Sequence, residues 1–262
     1  MSILFSGDFH ASAVNELSSI TKNALLKKYG REKYDSINYH IILGDGGFMW
    51  PGNRNTDLFN YKVLARRPFP VLCVIGNHEP ILGMSGVPET DIGIGETVYQ
   101  INGVPFTAYL KRGKVYSIDG IKFLVLGGAL SVDRALRKSN KSWWEKEYWT
   151  EQEKHDVLKL LDTDNVFDCV ISHTGPHHIN RHLFECIEQS KEKFLDDTAF
   201  LNDEVFNKIK FNEWWCGHWH QNRYYFDRET KHGYQYLYKA TKILEKTNYG
   251  LTVHNEYADA QR

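Results

Sequence analysis

At 262 residues and 42% hydrophobic content, the chain can bury one substantial core, and α/β folds of this size are commonly one domain. Its 32 basic and 33 acidic residues leave a formal charge of -1 and a pI near 6.9. That balance makes no global electrostatic case for a nucleic-acid or anionic-membrane partner. A local basic groove is invisible in a total, so a nuclease is disfavoured by it, not excluded.

The opening Met1-Ser2-Ile3-Leu4-Phe5 enters a strand at once, without the basic segment and long apolar core of a signal peptide. No apolar run reaches the length of a membrane span. Cys73, Cys169, Cys186 and Cys216 form no C-x-x-C pair and read as reduced thiols, which together predicts a cytoplasmic protein. Residues 2–7 form the first predicted strand, followed by an amphipathic helix from Ser12 to Tyr29 that Gly30 stops. A second strand, Tyr39 to Leu43, precedes a turn-rich loop. Thr56 caps a helix running to about Arg66, and Val71 to Ile75 is the third strand. This βαβαβ opening favours a parallel sheet with right-handed crossovers.

Between Pro80 and Lys114 the glycines predict a long loop with short strands near 98–100 and 106–108. Asp119-Gly120 joins Val115–Ile118 to Ile121–Leu126 as a hairpin. The basic, aromatic segment Ser131 to Tyr148 reads as a covering helix, with a phosphate- or base-binding strip as the alternative. Thr150 and Glu153 form a capping box ahead of a helix through Leu161. Strands at 167–172 and 211–216 flank a helical 183–210, and Tyr224–Asp227 pairs with Tyr234–Tyr238 as a terminal hairpin. Without repeats or a linker, residues 1–262 are expected to be one domain.

Five strand ends carry the chemistry: Gly7-Asp8-Phe9-His10, Gly44-Asp45, Gly76-Asn77-His78-Glu79, Ser172-His173 and Gly217-His218-Trp219-His220. Side chains delivered to the rim of an α/β sheet are where ligands bind. On extended backbone, positions two apart point the same way, so Asp8 with His10, and His218 with His220, can each address one ion. Asp45 can place an oxygen on each of two metals, Asn77 offers an amide oxygen, and His173 adds an imidazole. Two carboxylates, one amide and four imidazoles exceed one tetrahedral site and suit two bridged ions. The mixed nitrogen and oxygen set favours Mn, Fe, Zn, Co or Ni, Mn foremost, over Mg or Ca. Such a pair, roughly 3.5–4 Å apart, suits attack of a bridging hydroxide on a phosphoryl group. His78, left over from the ligand count, is placed to protonate the leaving oxygen. Glu79 is expected to orient a neighbouring ligand, and Trp219 to face away from the metals into the core.

Taken in order, these blocks resemble the calcineurin-like metallophosphoesterase superfamily across residues 8–220. The resemblance implies an α/β fold in which a two-sheet β-sandwich of mixed sheets is flanked by helices on both sides (αββα). It implies that Asp8, His10, Asp45 and His220 hold one metal and that Asp45, Asn77, His173 and His218 hold the other. It further implies that His78 is the acid, with Asn77 and His78 touching the substrate phosphate. One departure stands out. The protein-phosphatase branch carries an acidic residue and then arginine after Gly-Asp, where this chain has Gly46-Gly47-Phe48-Met49. Arg54 is the nearest replacement, and the missing clamp tilts the expectation toward phosphodiesters. The expected partner is a phosphorylated small molecule or nucleotide, with no membrane involved. Phosphomonoesterase, protein phosphatase, nuclease and an idle metal-binding scaffold are the competing readings. A single-zinc amidase or deaminase fails for want of H-E-x-x-H or H-x-E with P-C-x-x-C. His177, His178 and His182 read as surface residues or substrate contacts.

Overall fold

The structure, a computed structural model, describes residues 1–10, 13–48, 54–83, 87–101, 104, 106–131, 134–139, 141, 143–184 and 196–254. In chain order the elements are β1 (Ser2–Ser6), α1 (Ala13–Ser19), α2 (Lys22–Asp35), β2 (Ile37–Ile42), α3 (Arg54–Leu64), β3 (Val71–Val74), β4 (Glu89–Thr90) and β5 (Val98–Gln100). There follow β6 (Thr107–Leu110), β7 (Lys114–Ile118), β8 (Ile121–Leu126), α4 (Glu151–Leu161), β9 (Cys169–Ser172), α5 (His177–Leu183) and α6 (Asp197–Phe206). The described chain closes with β10 (Glu213–Cys216), β11 (Arg223–Phe226), β12 (Gly233–Tyr236), β13 (Thr241–Thr247) and β14 (Gly250–His254).

The strands form two mixed sheets. The first runs β14-β13-β1-β2-β3-β6-β5-β4 and the second β11-β12-β10-β9-β8-β7. In the first, β1, β2, β3 and β6 are mutually parallel, with antiparallel neighbours at both margins. The second has β8, β9, β10 and β12 parallel between antiparallel β7 and β11.

Continuous apolar runs such as Ile3-Leu4-Phe5 and Leu72-Cys73-Val74 suit strands covered on both faces. Their alternation shows it. Ile3, Phe5, Ile41, Leu72 and Val74 point into a core shared with Phe123, Val125, Ile171 and Trp215 of the opposite sheet. Leu4, Ile42 and Cys73 point outward, onto Leu17, Leu25, Tyr29 and Leu64 of the first helices. The second sheet repeats this, with Leu124, Val170 and Trp214 packing on Val157, Leu161, Leu201 and Val205. Phe5 and Trp215 meet across the sandwich with ring centroids 4.5 Å apart. Each fully buried side chain of this size stabilises the fold by roughly 2–3 kcal/mol over an exposed one. Two helix-covered mixed sheets are the expected α/β sandwich.

Several details depart from the sequence reading. The helix expected over 12–29 is two, because Thr21 starts a new one by accepting from the Ala24 amide at 3.1 Å. Gly30, expected to stop it, instead kinks α2 at φ +80°. The described residues of 131–148 form no covering helix. They form short 3₁₀ turns at Arg134–Leu136 and Glu145–Glu147, since the segment's apolar side chains follow no single 3.6-residue stripe. The Tyr224 hairpin forms as β11 and β12 but is not terminal, because β13 and β14 follow, and β13 pairs with β1. The capping box at Thr150 and Glu153 and the Asp119-Gly120 hairpin both form.

Candidate metal centre

The five strand ends meet. β1, β2 and β3 are neighbours in the first sheet, as β9 and β10 are in the second. The loops leaving their carboxyl ends are knitted by backbone hydrogen bonds. The amides of Phe9 and His10 donate to Asp45 O at 3.0 and 2.8 Å, that of Asp8 to Gly44 O at 3.3 Å, and that of Gly217 to His173 O at 2.9 Å. Close approach needs glycine here. A Cβ at Gly44, whose φ is +83°, would lie 2.2 Å from His173 Nδ1, and one at Gly76 would lie 2.0 Å from Asp45 Oδ1.

Donor atoms lie at ligand spacing. His10 Nε2 is 2.7 Å from Asp8 Oδ1 and 2.7 Å from His220 Nε2, while His220 Nε2 is 3.4 Å from Asp8 Oδ2. Asp45 Oδ2 is 3.4 Å from both His10 Nδ1 and His173 Nε2. Asn77 Oδ1 is 3.0 Å from His173 Nε2. Donors bound about 2.1 Å from one ion sit roughly 3.0–3.4 Å from each other, so the spacing fits divalent metal. Asp8 Oδ1, Asp8 Oδ2 and Asp45 Oδ2 are buried and accept no well-formed hydrogen bond. Buried carboxylate oxygens without donors are costly unless a cation faces them. Three tight triads result: Asp8-His10-His220, His10-Asp45-His78 and Asp8-Asp45-His173. His218 belongs to none of them and approaches through the His173 ring, at 5.1 Å between centroids.

The backbone that achieves this is not the extended one expected. Asp8, His10, Asp45, His218 and His220 all have positive φ, between 49° and 67°. Left-handed backbone costs a non-glycine residue about 1 kcal/mol or more, and such residues gather at functional sites. Asp8 and His10 still converge, whereas His220 joins that pair and His218 lies beside His173 instead.

Electrostatics follow from the carboxylates. Burial pushes the Asp45 pKa up, but the imidazoles of His173 and His78 outweigh it and hold the group well below the usual range. Burial opposes charge on His173, yet the Asp45 carboxylate overcomes it and lifts that imidazole to about 9. His218, desolvated and beside His173, falls to about 3 and is a neutral lone-pair donor. His173 Nδ1 donates to Leu43 O at 2.8 Å, leaving Nε2 for the cluster. In chelated protein the raised His173 contributes stability that is complete below its ordinary pKa near 6.5 and lost as pH rises through about 9. A metal competes with that proton. The gain in melting temperature on adding Mn²⁺ to chelated protein should therefore grow between those two pH values. A gain independent of pH would remove His173 from the ligand set.

Glu79 supports the centre differently from the expectation. Its Oε1 accepts from the Gly46 amide at 2.6 Å and its Oε2 from the Tyr109 hydroxyl at 2.7 Å. It fixes the loop that carries Asp45 and orients no imidazole. Burial and the Asp45 charge raise its pKa to about 7. Trp219 stacks on Phe184 at 4.7 Å, away from the donors. Arg54 opens α3, and its side chain lies outside the described residues. His177 stacks on Phe200, His178 Nδ1 lies 2.7 Å from Asp203 Oδ1, and His182 packs against Tyr225. Cys73, Cys169 and Cys216 are buried free thiols, while Cys186 is outside the described residues.

Sequence reasoning missed three residues here. Asn77 Nδ2 donates to Ser131 Oγ at 3.0 Å, and Ser131 Oγ lies 2.5 Å from Glu147 Oε2. Arg137 places an amino group 3.2 Å from His78 Nε2. Only the Arg137 position carried a sequence signal, as part of the basic strip. His78 Nε2 also lies 3.1 Å from Asn77 Nδ2. Because a guanidinium only donates, His78 Nε2 is an acceptor and the ring is neutral. Burial and then Arg137 and the neighbouring imidazoles outweigh the attraction of Asp45 and lower its pKa.

Among the described residues, no helix is long and apolar enough to cross a membrane. Solved structures are similar to the chain at low identity. GAP50, described as the anchor in the inner membrane complex of Plasmodium, matches with a TM-score of 0.51 at 9% identity, over 97% of this chain and 83% of its own. A dimetal phosphatase from Danio rerio matches at a TM-score of 0.47 and 12% identity, over 98% and 99%. Phosphopantetheinyl hydrolase from Mycobacterium tuberculosis matches at 0.45 and 11%, over 91% and 90%. Comparison with curated protein sequences gives no match. The calcineurin-like phosphoesterase pattern, in contrast, matches residues 1–243. With that match spanning every strand end that carries a donor, the chain belongs to the calcineurin-like phosphoesterase family.

Proposed function

We propose that this protein hydrolyses phosphoester bonds with two divalent transition metals. One observation carries the reading: the buried, donorless oxygens of Asp8 and Asp45 sit among imidazoles and an amide oxygen at ligand spacing. Asp8, His10, Asp45 and His220 would hold one ion, and Asp45, Asn77, His173 and His218 the other. Nitrogen and oxygen donors without thiolate suit Mn, Fe, Zn, Co or Ni, with Mn favoured. When bound, the pair supplies positive charge to the phosphoryl oxygens and an activated water as nucleophile.

The remaining chemistry belongs to the chain. His78 Nε2 lies 3.7 Å from Asp45 Oδ2, beside the donor cluster, and faces the Arg137 guanidinium. An anionic phosphoryl group entering between them would accept from Arg137 and favour the imidazolium of His78. From Nε2, His78 would then pass a proton to the leaving oxygen. The diester expectation rested on an arginine missing after Gly44-Asp45. Arg137 supplies a guanidinium from another loop, which favours phosphomonoesters, whose second negative charge a fork of donors grips best.

Metal-reconstituted protein should turn over p-nitrophenyl phosphate faster than bis-p-nitrophenyl phosphate. Arg137→Ala should raise KM for the monoester about tenfold or more, equivalent to losing one charge-assisted hydrogen bond, and leave the diester little changed. Absence of turnover with every one of the five metals would defeat the hydrolase reading. A faster diester that ignores Arg137→Ala would restore the phosphodiesterase alternative.

A further inference from the structure

Asn77 poses a problem of polarity. A carboxamide has two ends of nearly equal shape, of which only the oxygen can bind a cation. Turned over, the same side chain would present N–H groups to His173 and repel an ion. Something must select the end. Here Oδ1 faces His173 Nε2 at 3.0 Å, and Nδ2 faces Ser131 Oγ at 3.0 Å.

Ser131 has one hydroxyl proton. Its Oγ lies 2.5 Å from Glu147 Oε2, and the Ser131 amide donates to Glu147 Oε1 at 3.3 Å. A carboxylate only accepts, so the hydroxyl proton is committed to Glu147 and only lone pairs are left for Asn77. Toward Ser131, Asn77 must therefore present N–H, and its oxygen must turn to the cluster. Water cannot substitute, because Asn77 and Ser131 are each 2% exposed and Glu147 is fully buried.

Glu147 is itself anchored. Arg112 donates to the carbonyls of Glu147 and Tyr148 at 3.1 and 3.0 Å, and forks onto Glu153 of α4 at 2.8 and 3.0 Å. The polarity of the donor is thus set by a chain of contacts, buried at Ser131 and Glu147 and part-buried at Arg112, that leads away from the centre to a helix start.

We infer that Ser131 and Glu147 are positioning residues that fix the orientation of the Asn77 carboxamide and so select for binding of the second ion. The inference rests on the reading of Asn77 as a ligand proposed above. Calorimetric titration of full-length, chelated protein with Mn²⁺ tests it, without recourse to activity. The wild type should take up two ions. Ser131→Ala and Glu147→Gln should keep one at wild-type affinity and weaken the other about 10- to 100-fold, the usual effect of losing a residue that orients a ligand. Ser131→Thr, which retains the hydroxyl, should restore it. Thermal melts of the chelated variants should stay close to wild type, separating this from unfolding. Two ions at unchanged affinity in Ser131→Ala and Glu147→Gln would overturn the inference alone. A wild type that takes up no second ion would overturn the reading of the site and this inference with it.

Discussion

Asp45→Asn should lower turnover by about 10²–10³-fold or more, and weaken uptake of both ions together. The double effect follows from position. Asp45 Oδ2 stands 3.4 Å from His10 Nδ1 on one side and from His173 Nε2 on the other, and Oδ1 accepts from the His78 amide at 2.9 Å. An amide there removes the central negative charge and turns an N–H group toward imidazole nitrogens. Asp8→Asn is the control, since Asp8 lies against His10 and His220. It should weaken chiefly one ion. Titration of Asp45→Asn that still shows two ions at wild-type affinity would refute the bridging position.

His78→Ala should do the opposite, keeping both ions while slowing turnover by about 10²–10⁴-fold. The His78 amide bond to Asp45 Oδ1 is one that alanine also makes, and the Asn77 Nδ2 that lies 3.1 Å from His78 Nε2 is held by Ser131 as well. A proton donor matters most where the departing oxygen is basic. The loss should therefore be large for an alkyl phosphate and small for p-nitrophenyl phosphate. Equal losses on both would mean that His78 holds the phosphate without protonating the leaving group. Loss of metal would mean that it belongs to the ligand set.

Much of this was readable from the chain. Strands buried on both faces announce themselves as unbroken apolar runs, and Asp8, Asp45, Asn77, His173 and His218 each follow such a run within a few residues. Local sequence thus determines both the strand and the polar group it delivers. What stayed hidden depends on distant contacts. Ser131 acts on Asn77 from 54 positions away and Arg137 on His78 from 59, and nothing beside them in the sequence says so. The β13–β14 hairpin was missed because Lys242, Glu245 and Lys246 interrupt the apolar alternation; β13 gains its place by pairing with β1. The left-handed turns at the donors were equally invisible, because Asp and His carry no strong signal for positive φ in the way glycine does.

The donors also divide between the two sheets, Asp8, His10, Asp45 and Asn77 from one and His173, His218 and His220 from the other. Cations held there would act as rivets at the open rim of the sandwich, where no strand among the described residues crosses between layers. Catalytic competence and the mechanical cohesion of the two halves would then depend on the same few bonds.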